Sequence, residues 1–501
     1  MILAATLVAA FLRLWGLGSQ SLWVDEVFTW MSAGGVGPLG LRELLENVHG
    51  PLYSVATHLS MRLFGDDEWA LRLPAALAGI AMVPAMAWAA GRWVGERAIV
   101  PAAWLTAGSP FLVWYSQESR NYTWVVLAAT LAAGAIVGLH RSVTLGRITR
   151  MLMISAAGLL SNLSFLLLTP LLLHAGWTGP HETRAARRRT LLIAIAVLAV
   201  LSLPWLPQIT STWDWSRLTS AREAEHHAQP LRGATTFHVA AIPYALHTLS
   251  VGPTLGPSPR VLRADTSWRT IQPHLPVIAV TAATFGALLA LGLAAVARRR
   301  RLADTLLGLL VPALLVSFFA LQNFKVFHPR YLAVSMPWLL FVLAAAFADL
   351  RGRSRVVLAV LVAGLWGLSL WHLHGDPAYR REDYRGALAA VRQGIGEHEQ
   401  VVAVGSEEPV VYYGRGLPVT RWWLGHVDRP ARMEETWREK LALARGSWVV
   451  LSRGEDLDPD GRFAVWIETQ YPESPPRRFS GITLWHLTDR GGAPAVPSPN
   501  R

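Results

Sequence analysis

The first 28 residues, MILAATLVAAFLRLWGLGSQSLWVDEVF, place an acidic pair, Asp25-Glu26, shortly after an apolar segment, Met1–Leu17. An acidic pair at the mouth of a membrane helix loses hydration energy when it is buried, so it marks a functional site more often than a scaffold. The same pair can instead cap the helix that follows, because acidic side chains favour helix N-termini. The apolar segment lacks a basic start, which favours a retained short span over a cleaved signal peptide.

The composition predicts a polytopic α-helical membrane protein. Of 501 residues, 52% are hydrophobic and only 16% are charged, whereas soluble domains carry about a quarter charged residues. The apolar residues gather into runs of roughly 17–25 residues, the length that crosses a bilayer as a helix. We predict about eleven spans. Nine of them are Met1–Leu17, Leu71–Trp93, Ala98–Tyr115, Tyr122–His140, Thr190–Pro207, Pro276–Ala297, Leu302–Leu321, Tyr331–Leu350 and Val356–Trp371.

The apolar stretch between Arg150 and Trp177 is interrupted at Ser161-Asn162. It is too long for one span and short for two, and basic residues flank both ends. Such a stretch enters and leaves on the same side, as two short helices or as a re-entrant hairpin. Broken backbone at membrane depth is tolerated where it is packed in protein or lines a cavity.

Basic clusters set the predicted topology. The net charge is +12, and arginines gather in short segments between apolar runs, which is the positive-inside pattern and argues against nucleic-acid binding. The clusters are Arg184 with Arg187 to Arg189, Arg298 to Arg301, and Arg351 with Arg353 and Arg355. We therefore expect a multi-pass protein of the cytoplasmic membrane, with its amino terminus inside. The predicted outer segments are Gly18–Ala70, Ser116–Asn121, Gln208–His274, Gln322–Arg330 and everything after Trp371.

Three further features complete the expected organisation. The stretch Pro51–Gly65 predicts an amphipathic helix lying at the interface, with an additional span as the alternative. Residues 1–374 form the predicted transmembrane domain, and residues 375–492 alternate helix-like and strand-like segments, which predicts an extracytoplasmic α/β domain. The strand-like segments are Val401–Val404, Trp448–Leu451 and Ile482–Leu487, and the helix-like ones are Asp383–Ile395, Pro430–Ala444 and Gly461–Tyr471. The proline-rich end, residues 493–501, is expected to be disordered.

Residues with chemical potential gather in the predicted outer segments. Absence of cysteine excludes disulfides, thiolate metal sites and cysteine nucleophiles. The candidate groups are Asp25-Glu26; His49 to Tyr53 with Arg72; Tyr115 to Tyr122, which contains Glu118 and Arg120; and Lys325 to Tyr331, which contains His328 and Arg330. No tight metal-ligand spacing occurs, although a carboxylate-bound divalent ion is compatible with the sequence.

Together these groups match one kind of substrate. Carboxylates take a proton from an acceptor hydroxyl, while arginine and lysine bind a phosphate and stabilise a phosphate leaving group. Aromatic side chains at the interface line a sugar-sized pocket. A polyprenyl-phosphate sugar offers a lipid tail, a headgroup phosphate and a sugar, so we predict such a donor. Each group also has a purely structural interpretation. Asp25 can cap a helix, Glu118 can form an ion pair with Arg120 across a tight turn, and Arg330 can extend its charged end to the membrane surface.

Five motifs in order resemble the GT-C membrane glycosyltransferases. The motifs are Leu22-Trp-x-Asp-Glu26, His49-Gly-Pro-Leu-Tyr53, Phe64-Gly-x-x-Glu-x-x-x-Arg-Leu-Pro74, Tyr115-Ser-Gln-Glu-Ser-Arg-Asn-Tyr122 and Pro329-Arg-Tyr-Leu332. The pattern is most similar to the family 39-like branch, which includes protein O-mannosyltransferases and lipid A aminoarabinose transferase. The resemblance covers Leu14 to about Leu350 and implies a lipid-phosphate sugar donor. Metal use differs among members, so metal dependence does not transfer.

The resemblance also implies roles for individual residues. Asp25, with Glu26 beside it, matches the catalytic base, and Glu118 matches a second acid, although some relatives have Asp there. Lys325 and Arg330 match the contacts to the lipid phosphate. The predicted catalytic residues are Asp25, Glu26 and Glu118; the predicted substrate-binding residues are His49, Tyr53, Arg72, Arg120, Tyr122, Lys325, His328, Arg330 and Tyr331.

The sequence therefore predicts an inverting glycosyl transfer from a polyprenyl phosphate to an acceptor hydroxyl at the outer face of the membrane. A lipid or sugar transporter, or a flippase, is the main alternative; it predicts charges near the middle of spans, and here they gather at the outer ends. A non-catalytic assembly or sensor protein is the second alternative. The acceptor, whether lipid, glycan or protein, and the sugar stay open. Membrane lipids are the other expected partners.

Overall fold

A computed structural model describes residues 1–41, 44, 50–207, 240–265, 267–321, 327–422, 437–438, 441, 446–458 and 460–488. This part of the chain is mostly α-helical and carries one five-stranded sheet near its end. Most of the predicted segment Pro430–Ala444, all of residues 493–501 and about half of Gln208–His274 lie outside the described residues. So do the candidate site residues His49 and Lys325.

The prediction of a polytopic helical membrane protein is confirmed. Seven described helices are long and apolar enough to cross a membrane, or eight when one bent pair counts as a single span. The helix Leu145–Ser161 and two shorter apolar helices, Ile2–Leu14 and Leu163–Trp177, occupy the other predicted apolar segments, and the count of about eleven spans stays a prediction. The seven long helices are Glu68–Trp93, Tyr122–Arg141, His181–Trp205, Trp268–Arg298, Leu302–Leu321, Pro329–Asp349 and Gly352–Gly375.

The shorter elements connect these helices or flank them. Among the described residues they comprise α-helical, 3₁₀ and π segments. In chain order they are Val24–Trp30, Met31–Gly35 (π), Pro51–Phe64, Glu96–Ala98 (3₁₀), Ile99–Gly108, Pro110–Ser116, Leu163–Leu168 (3₁₀), Thr169–Trp177, Ala241–Val251, Pro259–Ala264, Pro329–Ser335 (3₁₀) and Pro377–Tyr379 (3₁₀).

The bent span is built around Pro110. The helix Glu96–Gly108 and the helix Pro110–Ser116 meet at 54°. Proline has no N–H, so Pro110 leaves the carbonyl of Thr106 without its helical donor. Arg13, fully buried in the first helix, donates from Nη2 to the Thr106 carbonyl and from Nη1 to the Ala107 carbonyl, each at 2.9 Å. The buried arginine that the sequence places inside the first span therefore completes a broken helix.

Pro74 creates a similar demand in the helix Glu68–Trp93. Its missing N–H frees the carbonyl of Ala70, four residues earlier. Ser60 Oγ donates to that carbonyl at 2.6 Å. Because a buried carbonyl without a donor costs about 1–3 kcal/mol, this hydrogen bond ties the helix Pro51–Phe64 to the start of the long helix.

The helix Pro51–Phe64 forms where the sequence predicts a helix in the first loop, and its position at the membrane interface stays a prediction. Val55, Leu59 and Leu63 are exposed along one face, at the four-residue spacing of a helical stripe. The opposite face is buried and carries Tyr53 and Ser60 among others. An exposed apolar stripe of this kind suits lipid contact at a membrane surface.

The predicted break at Ser161-Asn162 is confirmed. The helix Leu145–Ser161 ends there, and a 3₁₀ segment, Leu163–Leu168, leads into the helix Thr169–Trp177. Asn162 is extended, with φ −163° and ψ 129°, and its Oδ1 accepts a hydrogen bond from Ser164 N–H at 2.8 Å. The side chain therefore starts the second half of the stretch, as an N-cap does.

Contacts divide the chain into two compact units. Unit 1 comprises Met1–Ser19, Phe28–Pro259 and Ser267–Tyr379; unit 2 comprises Gln20–Val27, Arg260–Thr266 and Arg380–Arg501. The core of unit 1 is one large apolar cluster in which Trp93 stacks on Phe341 at 5.5 Å. The predicted domain boundary at residue 374 stays a prediction.

Unit 2 contains the predicted α/β fold. Its strands are β1 (Gln400–Val404), β2 (Val419–Trp422), β3 (Gly446–Ser452), β4 (Arg477–Phe479) and β5 (Ile482–Thr488), in the order β2-β1-β3-β5-β4. The pairs β1–β2 and β1–β3 are parallel; β3–β5 and β4–β5 are antiparallel. The remaining described helices of this unit are Tyr384–Gly394, Glu407–Tyr413, Gly454–Leu457 and Arg462–Gln470.

Alternate strand residues of the sheet face two separate cores. Val402 and Val449 belong to one apolar cluster, whereas Val401 and Val450 belong to the other. Side chains on a strand point to opposite faces in turn, so both faces of the central strands are covered. The predicted strands at Val401, Trp448 and Ile482 coincide with β1, β3 and β5.

Candidate active site

The turn that carries Glu118 is fastened to the first helix. The side-chain amide of Gln117 donates to the Trp15 carbonyl at 2.7 Å and to the Leu12 carbonyl at 3.2 Å. Carbonyls at a helix C-terminus have no donor within the helix. Gln117 supplies one, and in doing so it holds one end of the acidic turn in place.

The long helix Glu68–Trp93 holds the turn on its second side. Ser119 Oγ donates to the Leu71 carbonyl at 2.9 Å, and Trp124 Nε1 donates to the Pro74 carbonyl at 3.0 Å. Thr123 Oγ1 donates to the Ala75 carbonyl at 3.0 Å. These hydrogen bonds occur beside Pro74, where the proline ring disturbs the regular helical pattern.

The break at Ser161 holds the turn on its third side. The Asn121 side-chain amide donates to the Ser161 carbonyl at 2.6 Å, and Asn162 Nδ2 donates to Asn121 Oδ1 at 2.9 Å. Gly50 lies against the same carbonyl, since a Cβ on it would fall 2.2 Å from that oxygen. The motif around Gly50, the turn and the broken stretch therefore meet at one carbonyl.

The charged residues of the turn are buried. Glu118 is 2% exposed and Arg120 is 5% exposed, and the Glu118 carbonyl accepts a hydrogen bond from the Arg120 N–H at 2.6 Å. Arg120 Nη1 donates to Thr29 Oγ1 at 3.2 Å. Buried charges persist only where they are paired or hydrogen-bonded, so this turn is a fixed polar site inside an apolar unit.

Tyr115 lies in the electrostatic field of both the acidic turn and Arg330. Its phenol lies within electrostatic range of the Glu118 carboxylate and of the Arg330 guanidinium. Its ring meets the Tyr122 ring edge-on at 5.1 Å. Within unit 1, the sequence-predicted acid and the sequence-predicted phosphate contact thus both lie within electrostatic range of one aromatic side chain.

Arg330 sits at the start of the 3₁₀ segment Pro329–Ser335. Its guanidinium carbon lies 5.2 Å from the Tyr331 ring centroid, and Nη2 donates to the Tyr331 hydroxyl at 3.3 Å. His328 Nδ1 accepts a hydrogen bond from the Arg330 N–H at 3.2 Å. His328 therefore caps the segment that presents Arg330, and Tyr331 orients its side chain.

Two further predicted residues lie near the turn. Tyr53 is buried and meets the Trp124 ring edge-on at 5.9 Å. Arg72 is 2% exposed and donates from Nη1 to the Leu17 carbonyl at 2.9 Å. The structure gives Arg72 a contact with the end of the first apolar segment, and its predicted role in substrate binding stays a prediction.

The acidic pair Asp25-Glu26 splits into two environments. Both lie in the first turn of the helix Val24–Trp30, where successive residues point about 100° apart. Glu26 is fully buried and forms an ion pair with Arg381 at 2.5 Å, whereas Asp25 is only half-buried. Glu26 also accepts from the Trp23 N–H at 3.3 Å, which is one half of a capping box.

The sequence identified the charged residues of the site but not the polar residues whose hydrogen bonds and ion pairs fix them in place. Gln117, Ser119 and Asn121 fall within the Tyr115–Tyr122 motif, and their polarity beside an apolar span was the available signal. Arg381 had no such signal, because it lies 355 residues from its partner Glu26. Among the described residues, no group of three or more His, Asp or Glu is arranged to hold a metal ion.

Comparisons with known proteins address the fold. The family described as dolichyl-phosphate-mannose-protein mannosyltransferase matches residues 48–207. The structure is similar to that of ArnT from Cupriavidus metallidurans bound to undecaprenyl phosphate, with a TM-score of 0.56, 15% identity and coverage of 97% of both chains. The chain has the GT-C fold. Curated protein sequences give no match.

A second GT-C structure supports this assignment. The archaeal oligosaccharyltransferase AglB from Archaeoglobus fulgidus, in complex with an inhibitory peptide and a dolichol-phosphate, matches with a TM-score of 0.51 and 13% identity. The match covers 99% of this chain and 74% of that one. The fold that the five-motif resemblance implies is therefore confirmed.

Proposed function

We propose that this protein is an inverting glycosyltransferase that moves a sugar from a polyprenyl phosphate to an acceptor hydroxyl at the outer face of the cytoplasmic membrane. One observation carries the proposal: within a chain that has the GT-C fold, the buried Glu118 carboxylate and the Arg330 guanidinium both lie within electrostatic range of the Tyr115 phenol. An acidic side chain and a fixed cation near one aromatic ring suit the binding of a sugar that is attached to a phosphate.

The phosphate is assigned to Arg330. Its guanidinium stays charged at any working pH and makes paired hydrogen bonds to phosphate oxygens. The Tyr331 contact and the His328 cap keep it in one place, so little reorganisation accompanies the build-up of negative charge on the leaving phosphate. Lys325 is proposed as the second phosphate contact.

The proton acceptor is assigned to Asp25. Its carboxylate takes the acceptor's hydroxyl proton while the oxygen attacks the anomeric carbon and forms the new glycosidic bond. The bond from the anomeric carbon to the phosphate oxygen breaks, and its electron pair leaves with the polyprenyl phosphate. Direct displacement inverts the anomeric centre and needs no covalent enzyme intermediate. Glu118 is proposed to bind sugar hydroxyls from its fixed turn, with Tyr53, Arg120 and Tyr122 beside it.

Two arguments support the lipid donor and the outer face. The structures similar to this one were solved with undecaprenyl phosphate and with dolichol-phosphate. By the positive-inside rule, the arginine clusters favour a position for the segments with Asp25, Glu118 and Arg330 on the side opposite the positive loops. A polyprenyl-phosphate sugar is the donor that joins a lipid anchor to a single transferable sugar.

The test is a transfer assay with purified protein in detergent. Radiolabelled undecaprenyl-phosphate mannose, glucose, galactose, arabinose and aminoarabinose serve as separate probes, with a lipid and glycan extract as acceptor and with or without EDTA. We expect one donor to lose its label to the extract, and NMR to find an inverted anomeric centre in the product. Asp25→Asn should lower kcat by at least about 10²-fold. Release of no label from any donor, with binding of undecaprenyl phosphate retained, would argue for a transporter.

A further inference from the structure

The segment that carries Asp25 is part of the same compact unit as the C-terminal sheet. Gln20–Val27 clusters with Arg380–Arg501 in unit 2. Gln20 Oε1 accepts a hydrogen bond from the Arg381 N–H at 3.0 Å, and the Tyr413 hydroxyl accepts one from the Leu22 N–H at 2.7 Å. Backbone and side-chain groups both take part, so this segment is built into the unit.

Ser21 extends this attachment to the helix Tyr384–Gly394. Its Oγ donates to Asp383 Oδ1 at 3.3 Å and accepts from the Arg385 N–H at 3.1 Å. Asp383 caps the same helix by accepting from the Gly386 N–H at 3.0 Å. The first N–H groups of a helix need acceptors from outside it, and Ser21 supplies one of them.

The strongest contact is the ion pair between Arg381 and Glu26. The Glu26 side chain is fully buried and that of Arg381 is 11% exposed, so water screens the pair little. Glu26 Oε2 accepts both from Arg381 Nη1 and from the Trp23 N–H. One carboxylate oxygen thus joins Arg381 to the residue that precedes the helix bearing Asp25.

We propose that Arg381 is a positioning residue for Asp25, and that the C-terminal unit is therefore required for the chemical step. The proposal rests on the function proposed above. Glu26 is assigned to the same role: it holds the start of the helix Val24–Trp30, and Asp25 is the member of the pair that meets substrate.

The physical reason lies in the cost of burying a charge. Without Arg381, a charged Glu26 carboxylate would lose that compensating charge in a site that water does not reach, which is strongly unfavourable. The carboxylate then rotates toward solvent and releases the Trp23 N–H. Asp25 is the neighbouring residue, so the start of its helix shifts with it. A displacement of about 1 Å in a reacting group costs about 10²-fold in rate.

The test compares variants of the full-length protein in the transfer assay. Arg381→Ala and Glu26→Gln should each lower kcat by about 10²-fold while leaving the KM for the lipid donor within about twofold. Arg381→Lys keeps the charge and should recover part of the loss. Arg380→Ala is the matched control, because that neighbouring side chain is exposed, and it should behave like the wild type.

A double variant separates positioning from a general loss of structure. If Arg381 acts through Asp25, Arg381→Ala should add little to the loss already caused by Asp25→Asn, since residues that act as a unit are not additive. Equal kcat in wild type and Arg381→Ala, or a full further loss of about 10²-fold in the Asp25→Asn background, would overturn the positioning role and leave the proposed function standing. Absence of transfer by the wild type would overturn the function itself.

Discussion

The Asn121 side chain donates to the Ser161 carbonyl at 2.6 Å, at the point where the long apolar stretch between Arg150 and Trp177 is interrupted. Asn162, the next residue, donates back to Asn121 Oδ1. This pair couples the broken stretch to the turn that carries Glu118. The interruption is therefore part of the candidate site's support.

Asn121→Ala should destabilise the protein. The change leaves a buried carbonyl without a donor, at a cost of about 1–3 kcal/mol. Thermal unfolding in detergent should record a lower Tm than for Ser354→Ala, which removes an exposed hydroxyl bonded to its own helix start. A Tm equal to that of this control would contradict the assigned hydrogen bond.

The two glycines that flank the helix Pro51–Phe64 offer a matched pair. Gly50 and Gly65 have φ of +94° and +87°, so alanine is strained at both by about 1–3 kcal/mol. At Gly50 a Cβ would also fall 2.2 Å from the Ser161 carbonyl oxygen, whereas at Gly65 nothing lies within 4 Å.

Gly50→Ala should therefore lower the Tm and the yield of folded protein well below those of Gly65→Ala. It should also reduce transfer activity, because the displaced Ser161 carbonyl is the one that Asn121 holds. The comparison is made by thermal unfolding and size-exclusion chromatography. Equal effects of the two substitutions would show that the close approach at Gly50 is unimportant.

Ser60 and Pro74 should be energetically coupled. Ser60→Ala removes the donor to the Ala70 carbonyl and should cost about 1–3 kcal/mol. In the double variant with Pro74→Ala, a new N–H at position 74 can bond the same carbonyl within the helix. A double-mutant cycle of unfolding free energies should give a favourable coupling of at least about 0.5 kcal/mol. If the changes in unfolding free energy of the two single variants simply add up in the double variant, the coupling is refuted.

Glu399 should make the stability of unit 2 depend on pH. Burial raises the pKa of its carboxyl, but hydrogen bonds from the Gly396 N–H, the His486 ring and the Trp448 indole outweigh it and hold the pKa below the usual 4.5. A depressed folded-state pKa adds stability above the unfolded-state pKa, and this is lost as the pH falls through the folded-state value.

Glu399→Gln should therefore lower the Tm at pH 7 by an amount that shrinks below about pH 4.5. Differential scanning calorimetry of the purified protein records the Tm at each pH. Glu397→Gln, at an exposed neighbour, is the control and should have little effect at either pH. A Tm difference that is the same at about pH 7 and about pH 3 would contradict this prediction.

Much of the fold could be predicted because membrane helices obey local rules. A run of apolar residues long enough to span the bilayer forms a helix whatever its neighbours are, and the predicted spans coincide with helices. The break at Asn162 was also predictable, since a polar pair interrupts an apolar run. Strands such as Val401–Val404 were predictable from their β-branched residues between turns.

Of the candidate site, only the charged residues could be predicted from the sequence. Glu118 and Arg330 stand out because charge is rare beside apolar spans. That both lie within electrostatic range of Tyr115 depends on how a turn and a segment more than 200 residues later fold together, and no local pattern encodes it. The hydrogen bonds from Arg13 to the Thr106 carbonyl and from Ser60 to the Ala70 carbonyl could not be predicted either. Each satisfies a carbonyl that a proline leaves without its helical donor, and both prolines are visible in the sequence.

The acidic pair Asp25-Glu26 shows most clearly which properties the sequence determines and which depend on the tertiary structure. The sequence by itself determined that Asp25 and Glu26 follow an apolar segment, and that burying either one requires a compensating partner. Only the tertiary structure decided that Glu26 is the buried one and that its partner is Arg381. The physical reason is that desolvation energies depend on which groups surround a charge, and those groups come from distant parts of the chain.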